Sequence, residues 1–268
     1  MIFDPKGRVL LMGILNLTPD SFSDGGLYLD PSKGLDRALQ MIEEGADIID
    51  LGGESTRPGS SPVSLEEERR RVLPVLKKIR ARTTVPISID TQKAALAEEA
   101  LQEGANIIND VSAATFDPEM AAVIVKHRSP LILMHKQGSP ETMQKSPTYK
   151  DVVGEVFQYL QERIKTLVAQ SIPRELLWVD PGIGFGKTFL HNKELLQNLP
   201  KLKPLECPIV VGVSRKSFLG QISGRPVEDR LIESLAASFY TVLQGANVLR
   251  VHDVLETKRV LKVLEALS

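Results

Sequence analysis

Cysteine is nearly missing from this chain of 268 residues: Cys207 stands alone, so neither an internal disulfide nor a thiolate metal cluster can be built. A single thiol of this kind is expected in the core of a protein that works in a reducing cytoplasm. Charge of one sign is scarce as well. Lys plus Arg (33) nearly cancels Asp plus Glu (34), leaving a net charge of -1 and no global electrostatic case for nucleic acid or an anionic membrane. Long apolar runs are also lacking. The longest early one, residues 9–17, is broken by Gly13 and Asn16 and has no small-residue cleavage pattern behind it, so it reads as a first strand and not as a signal peptide. No linker or low-complexity stretch divides the chain, which predicts one domain over residues 1–268. Nor is there a Ser-His-Asp arrangement or a His-Glu-His metal pattern.

What is present is a repeat. Gly45-Ala46-Asp47, Gly104-Ala105-Asn106 and Gly245-Ala246-Asn247 each open a short apolar run that ends, five positions after the glycine, on Asp50, Asn109 or Arg250. A glycine closing a helix just before a β-rich run is the punctuation of an αβ loop. Strands are expected at residues 9–15, 48–51, 87–90, 107–109, 131–134, 177–180, 209–213 and 248–251. Helical periodicity fills residues 33–44, 65–80, 93–103, 118–127, 149–170, 193–198, 227–244 and 254–267. Eight Val/Ile/Leu-rich strands separated by amphipathic helices imply a closed, parallel α/β barrel, whose strands end at one mouth.

Loop lengths indicate which end carries function. Helix-to-strand connections are short, whereas strand-to-helix connections run long at residues 16–32, 52–64 and 135–148, after strands 1, 2 and 5. Long Gly- and Pro-punctuated loops on one side of a barrel are commonly lids or binding loops. They share a mouth with the polar strand ends.

Six segments at those strand ends carry a resemblance. They are Asn16-Leu17-Thr18-Pro19-Asp20-Ser21-Phe22-Ser23-Asp24-Gly25-Gly26, Gly52-Gly53-Glu54-Ser55-Thr56-Arg57-Pro58-Gly59, Asn109-Asp110-Val111-Ser112, Asp180-Pro181-Gly182-Ile183-Gly184-Phe185-Gly186-Lys187-Thr188, Gly212-Val213-Ser214-Arg215-Lys216-Ser217 and Arg250-Val251-His252-Asp253. Together, and in this order, they resemble the dihydropteroate synthase family of pterin-binding TIM barrels. The resemblance spans almost the whole chain, which makes it far more specific than an isolated motif.

The resemblance implies condensation of 6-hydroxymethyl-7,8-dihydropterin diphosphate with p-aminobenzoate to 7,8-dihydropteroate and diphosphate. It implies a pterin site of Asp90, Asn109, Met134, Asp180 and Lys216, with Asp90, Asp180 and Lys216 carrying the chemistry. A p-aminobenzoate site is implied at Thr56, Pro58, Phe185, Lys216 and Ser217, and a diphosphate site at Thr56, Arg57, Arg250 and His252. Asn16 is implied as a ligand of Mg²⁺, sulfonamides as inhibitors, and a homodimer as the assembly. The residue types suit this chemistry: carboxylates and an amide match the donor-acceptor edge of a pterin, and arginine's planar fork matches phosphate oxygens. Loss of diphosphate would leave a methylene cation that Asp90 stabilises before the arylamine attacks. The same arylamine is neutral at pH 7, so no strong general base is required. Asp24 on the first long loop is a candidate for ordering the closed site.

One position departs from the family pattern. Lys136 stands in Met134-His135-Lys136-Gln137 where many members carry Met, and its side chain is expected to point to solvent. Two other readings stay open: a corrinoid-linked methyltransferase barrel, which has no need of the Ser-Arg-Lys-Ser and Arg-Val-His set, and a non-catalytic pterin-binding subunit, which would be free to lose Asn16, Arg57, Lys216 or His252. All four are present here.

Overall fold

The computed structural model describes residues 7–18, 30–55, 59–138 and 142–267. Eight strands run in chain order: β1 (Leu10–Asn16), β2 (Ile48–Gly52), β3 (Ile87–Asp90), β4 (Ile107–Asp110), β5 (Leu131–Met134), β6 (Leu177–Asp180), β7 (Val210–Val211) and β8 (Val248–Val251). Every neighbouring pair is parallel, in the order β6-β5-β4-β3-β2-β1-β8-β7. A bridge between Val179 and Ile209 joins β6 to β7 and completes the (β/α)8 barrel. Nine α-helices among the described residues pack outside: α1 (Pro31–Glu44), α2 (Leu65–Arg80), α3 (Ala94–Gln102), α4 (Met120–His127), α5 (Val152–Ala169), α6 (Phe189–Gln197), α7 (Ser217–Ser223), α8 (Leu231–Leu243) and α9 (Val254–Leu267). None of them is long and apolar enough to cross a membrane.

The tripeptide repeat has a physical meaning. Gly45, Gly104 and Gly245 all take the left-handed conformation, with φ of 103°, 97° and 100°, and so release the chain from a helix into a strand. The residue two positions on then does one job three times. Asp47 accepts the amide of Leu11 (2.9 Å), Asn106 that of Ile87 (3.0 Å) and Asn247 that of Ile209 (2.8 Å), satisfying a backbone donor at the base of the neighbouring strand.

Alternation along the strands sorts side chains into two cores. Outward residues such as Leu11, Ile49, Ile89, Leu133 and Val179 pack beneath the helices. Inward residues Leu10, Met12, Ile48, Ile107, Ile132, Trp178, Val210 and Val248 form a separate apolar plug inside the barrel. Two residues beyond these plug positions the inward side chains become Asp50, Asn109, Met134, Asp180 and Arg250, and on β3 Asp90 stands two residues beyond the buried Ser88. The plug is therefore the floor of a polar mouth.

Two expectations shift. β7 contracts to Val210–Val211, and the expected helix over residues 227–244 begins only at Leu231, after a 3-10 turn at Val227–Asp229. The seven-residue α7, closed by Gly224 at φ 72°, lies between them; it is too short to show a helical period.

Candidate active site

Strand register brings the polar ends together. Asn16 is level with Gly52, Gly52 with Asp90, and Asp90 with Asn109, so one row crosses four strands. Arg250 on β8 reaches across this row: its Nε donates to Asp50 Oδ2 (2.6 Å) and its terminal nitrogen to Asp90 Oδ2 (2.8 Å). Asn109 Nδ2 donates to the same Asp50 oxygen at 3.3 Å. The three residues that end the repeat's apolar runs thus meet in space, with Asp50 wholly buried beneath them.

Burial works against the Arg250 charge, yet Asp50 and Asp90 outweigh it and hold the guanidinium charged. Burial raises the Asp90 carboxyl; Arg250 opposes the rise, and Asp50, Glu68 and Asp110 add to it. Across the mouth Asp180 neighbours Met134 in register and is raised by burial, with Lys216 pulling the other way. Its Oδ1 accepts the amide of Gly182 at 2.7 Å. Asp90, Asn109 and Asp180 are each 6–7% exposed, which leaves them buried yet reachable from one face.

Lys216 is the bridge between this buried carboxylate-amide set and the outer part of the mouth. It caps the start of α7, its Nζ donates to the Ile183 carbonyl, and it lies 4.6 Å from the centroid of the Phe185 ring. Burial lowers the ammonium to about 8, with Asp180 opposing and Arg250 adding to the fall. Ser217, next in the chain, is exposed at the rim. His252 lies on the loop after β8, its Nδ1 3.0 Å from Ser214 Oγ and its carbonyl accepting from Arg37 at 3.1 Å. Asn16 closes β1 with its side chain partly exposed. Thr56, Arg57, Pro58 and Asp24 lie outside the described residues.

Two motifs divide their labour. In Asn109-Asp110-Val111-Ser112, Asn109 faces inward while Asp110 folds the next turn, accepting the amides of Ser112 (2.7 Å) and Ala114 (3.0 Å). In Ser214-Arg215-Lys216-Ser217 the lysine turns into the mouth, whereas Arg215 is paired through two nitrogens with Asp253 (2.6 and 3.0 Å). Lys136 corrects an expectation. It is half-buried and donates to Gln92 Oε1 at 3.2 Å, and burial lowers its pKa against the pull of Asp110, Glu54 and Asp90. Those carboxylates draw it over the mouth, away from solvent.

Sequence reasoning gave no role to three supporting groups. Asp50 showed itself only as one end of the repeat. Lys93 ties Glu54, at the root of the second long loop, to the fully buried Glu68 of α2. Lys187 is buried against His135. A lysine inside a glycine-rich motif carries no sequence signal of burial.

A family model described as "Pterin binding enzyme" matches residues 12–252. A dihydropteroate synthase of Synechocystis is 45% identical over 99% of this chain and 92% of its own length. Among solved structures, a Yersinia pestis dihydropteroate synthase with a sulfonamide drug complex superposes with a TM-score of 0.94 at 43% identity, covering 99% of this chain and 96% of that one. A Xanthomonas albilineans dihydropteroate synthase with 4-aminobenzoic acid gives 0.92 at 43% identity, over 97% and 93% of the two chains. With its barrel, its polar row and these likenesses taken together, the chain belongs to the pterin-binding enzymes, within the dihydropteroate synthase family.

Proposed function

We propose that this chain is a dihydropteroate synthase, joining 6-hydroxymethyl-7,8-dihydropterin diphosphate to p-aminobenzoate with release of diphosphate. The observation that carries the reading is the union, at one barrel mouth, of a buried carboxylate-amide set with Lys216 and the Phe185 ring. Asp180 and Asn109 accept from and donate to the pterin edge, and Met134 packs beside them. Lys216 stands between the pterin and the arylamine, whose ring lies against Phe185 with Ser217 at the rim; Thr56 and Pro58 are assigned to the same subsite by the family resemblance alone. Arg250 and His252 offer donors to the diphosphate, and Arg57 and Thr56 join them.

The methylene carbon-oxygen bond breaks with its electron pair leaving on diphosphate. Asp90, held in place by Arg250, faces the resulting cation at low local dielectric, where a fixed charge counts for most. The arylamine lone pair then forms the new carbon-nitrogen bond, and the nitrogen loses a proton to solvent.

A divalent cation fits the donor set. Among the described residues no group of three or more His, Cys, Asp or Glu is arranged to hold a metal. Asn16 Oδ1 and Asp90 Oδ2 both lie beside Gly52, and since Asp90 Oδ2 is already paired with Arg250, the neutral Asn16 oxygen is the donor suited to an ion that takes its other ligands from substrate phosphates and water. Asn16 would hold Mg²⁺ there, and the ion would neutralise charge on the departing diphosphate. Cytoplasmic residence is supported by the cysteine count: Cys207 is the chain's one cysteine, and it is buried and in no disulfide. Homodimerisation is supported by an apolar stripe on α8, where Ile232, Tyr240 and Leu243 are exposed along one face.

The test is a coupled assay of diphosphate release. Product is expected only when pterin diphosphate, p-aminobenzoate and Mg²⁺ are all supplied, with sulfonamide inhibition competitive against p-aminobenzoate. Sulfonamide competing with the pterin alone, or no dihydropteroate under any divalent ion, would overturn the reading.

A further inference from the structure

The loop after β6 is held by its carbonyls, one after another, three from outside the loop and one by its own Lys187. Ile183 O accepts from Lys216, Gly184 O from Gln144 (2.6 Å), Phe185 O from Lys187 (3.0 Å) and Gly186 O from the Tyr149 hydroxyl (2.9 Å). Gln144 and Tyr149 belong to the long connection after β5. Lys187 is tied to the start of the same connection, since its Nζ lies 2.9 Å from His135 Nδ1 and 3.3 Å from the His135 carbonyl. Only 2% of Lys187 is exposed, and all three of its partners are neutral acceptors. While Lys187 is protonated its ammonium has donors only, so it donates to His135 Nδ1 and the imidazole carries its proton on Nε2.

The two loops also touch backbone to backbone. A Cβ on Gly182 would stand 1.9 Å from His135 O, and one on Gly186 would stand 2.3 Å from Gln137 O. With φ of 67° and 64°, these glycines allow a contact that no side chain would permit. The β6 loop therefore takes its shape from the β5 loop, and Phe185 rides on it.

We propose that Lys187 is a positioning residue for the arylamine: from its buried seat it clamps the Phe185 carbonyl to His135, and so fixes where the Phe185 ring stands beneath Lys216. The ammonium touches no substrate. It acts through the loop, and its loss disturbs the arylamine side of the mouth while the strand-borne pterin set of Asp90, Asn109 and Asp180 stays in register. The inference rests on the proposed function and deepens it, because it separates recognition of the second substrate from that of the first.

Lys187→Met keeps an unbranched apolar stem, one heavy atom shorter, and removes the donors. The p-aminobenzoate KM is expected to rise about tenfold or more, the scale of a lost hydrogen bond to a charged group, with the pterin diphosphate KM changing less than about twofold and kcat holding within about threefold. Sulfonamide inhibition constants should rise in parallel with the p-aminobenzoate KM. Gln144 is exposed, so Gln144→Ala leaves folding alone; it should move the same constant in the same direction by about twofold to fivefold, as expected for a neutral hydrogen bond at the surface. That variant decides the matter if Lys187→Met does not fold. A p-aminobenzoate KM unchanged in the folded variants, or equal rises for both substrates, would overturn the proposal. A wild-type protein that turns over pterin diphosphate and p-aminobenzoate keeps the functional reading whichever way the variants fall, whereas an inactive wild type removes both.

Discussion

The floor and the mouth of this barrel are built from the same strands two residues apart, yet they obey opposite rules. On β2, β4 and β6 the inward positions pass from Ile48, Ile107 and Trp178 to Asp50, Asn109 and Asp180. Below, apolar side chains fill space, and a cavity is the only thing that a substitution can create. Above, buried carboxylates are held by one arginine, and each retained charge raises the energetic cost of losing its partner. Substitutions in the lower layer should therefore cost stability alone, whereas those in the upper one should cost stability and reactivity together.

The sharpest way to break the contrast is Arg250→Met. It leaves Asp50 and Asp90 without their shared cation, so about 3–5 kcal/mol of stability should go, and turnover should fall at least about a thousandfold. Denaturant unfolding and the diphosphate-release assay measure the two losses; retention of either would mean that the pairing is not central. Ile132→Ala in the floor should cost about 2–5 kcal/mol in the same unfolding experiment, while KM for both substrates stays near wild type. A changed KM there would show that floor and mouth are coupled.

Smaller still is Asp90→Asn, which keeps the shape and removes the charge. Its kcat should fall about 10- to 100-fold while pterin affinity measured by calorimetry weakens less, because the charge matters most when the cation forms. Equal losses would assign Asp90 to binding alone. A last prediction concerns pH and leaves the wild-type reaction untouched. Burial lowers Lys187 to about 7, whereas an unfolded lysine keeps its proton to about 10.4. Between those values the unfolded chain binds more protons, so wild type should gain stability over Lys187→Met as pH rises from about 7 to about 10. A difference that stays flat across that window would mean that the buried amine does not titrate there.

How much of this could be read from residues alone depends on periodicity. The floor and most strand limits were legible because β-strands repeat every two residues, and β3, β5, β6 and β8 fall on residues 87–90, 131–134, 177–180 and 248–251 as the pattern suggests. The meeting of Asp50, Asn109 and Arg250 was legible too, since equal spacing from three equivalent glycines places them at equal height. What a local pattern cannot carry is the direction of a long side chain. Lys136 was expected in solvent and is drawn over the mouth by carboxylates from three other segments. Arg215 and Lys216 are adjacent, yet one turns to Asp253 and the other to Ile183, a choice made by the left-handed backbone at Arg215 (φ 57°).

The bridge between Val179 and Ile209 has a mechanical meaning. Other neighbouring strands are laced by two to five register pairs, but the described residues give the β6–β7 seam one bridge and a bond from the Val179 amide to the Pro208 carbonyl at 2.9 Å. Immediately above that thin seam stand Asp180 on one lip and Lys216 on the other. A ring bound to both would act as a stitch across the joint, so a barrel closed topologically by its chain would be clasped at its thinnest seam by the molecule it binds.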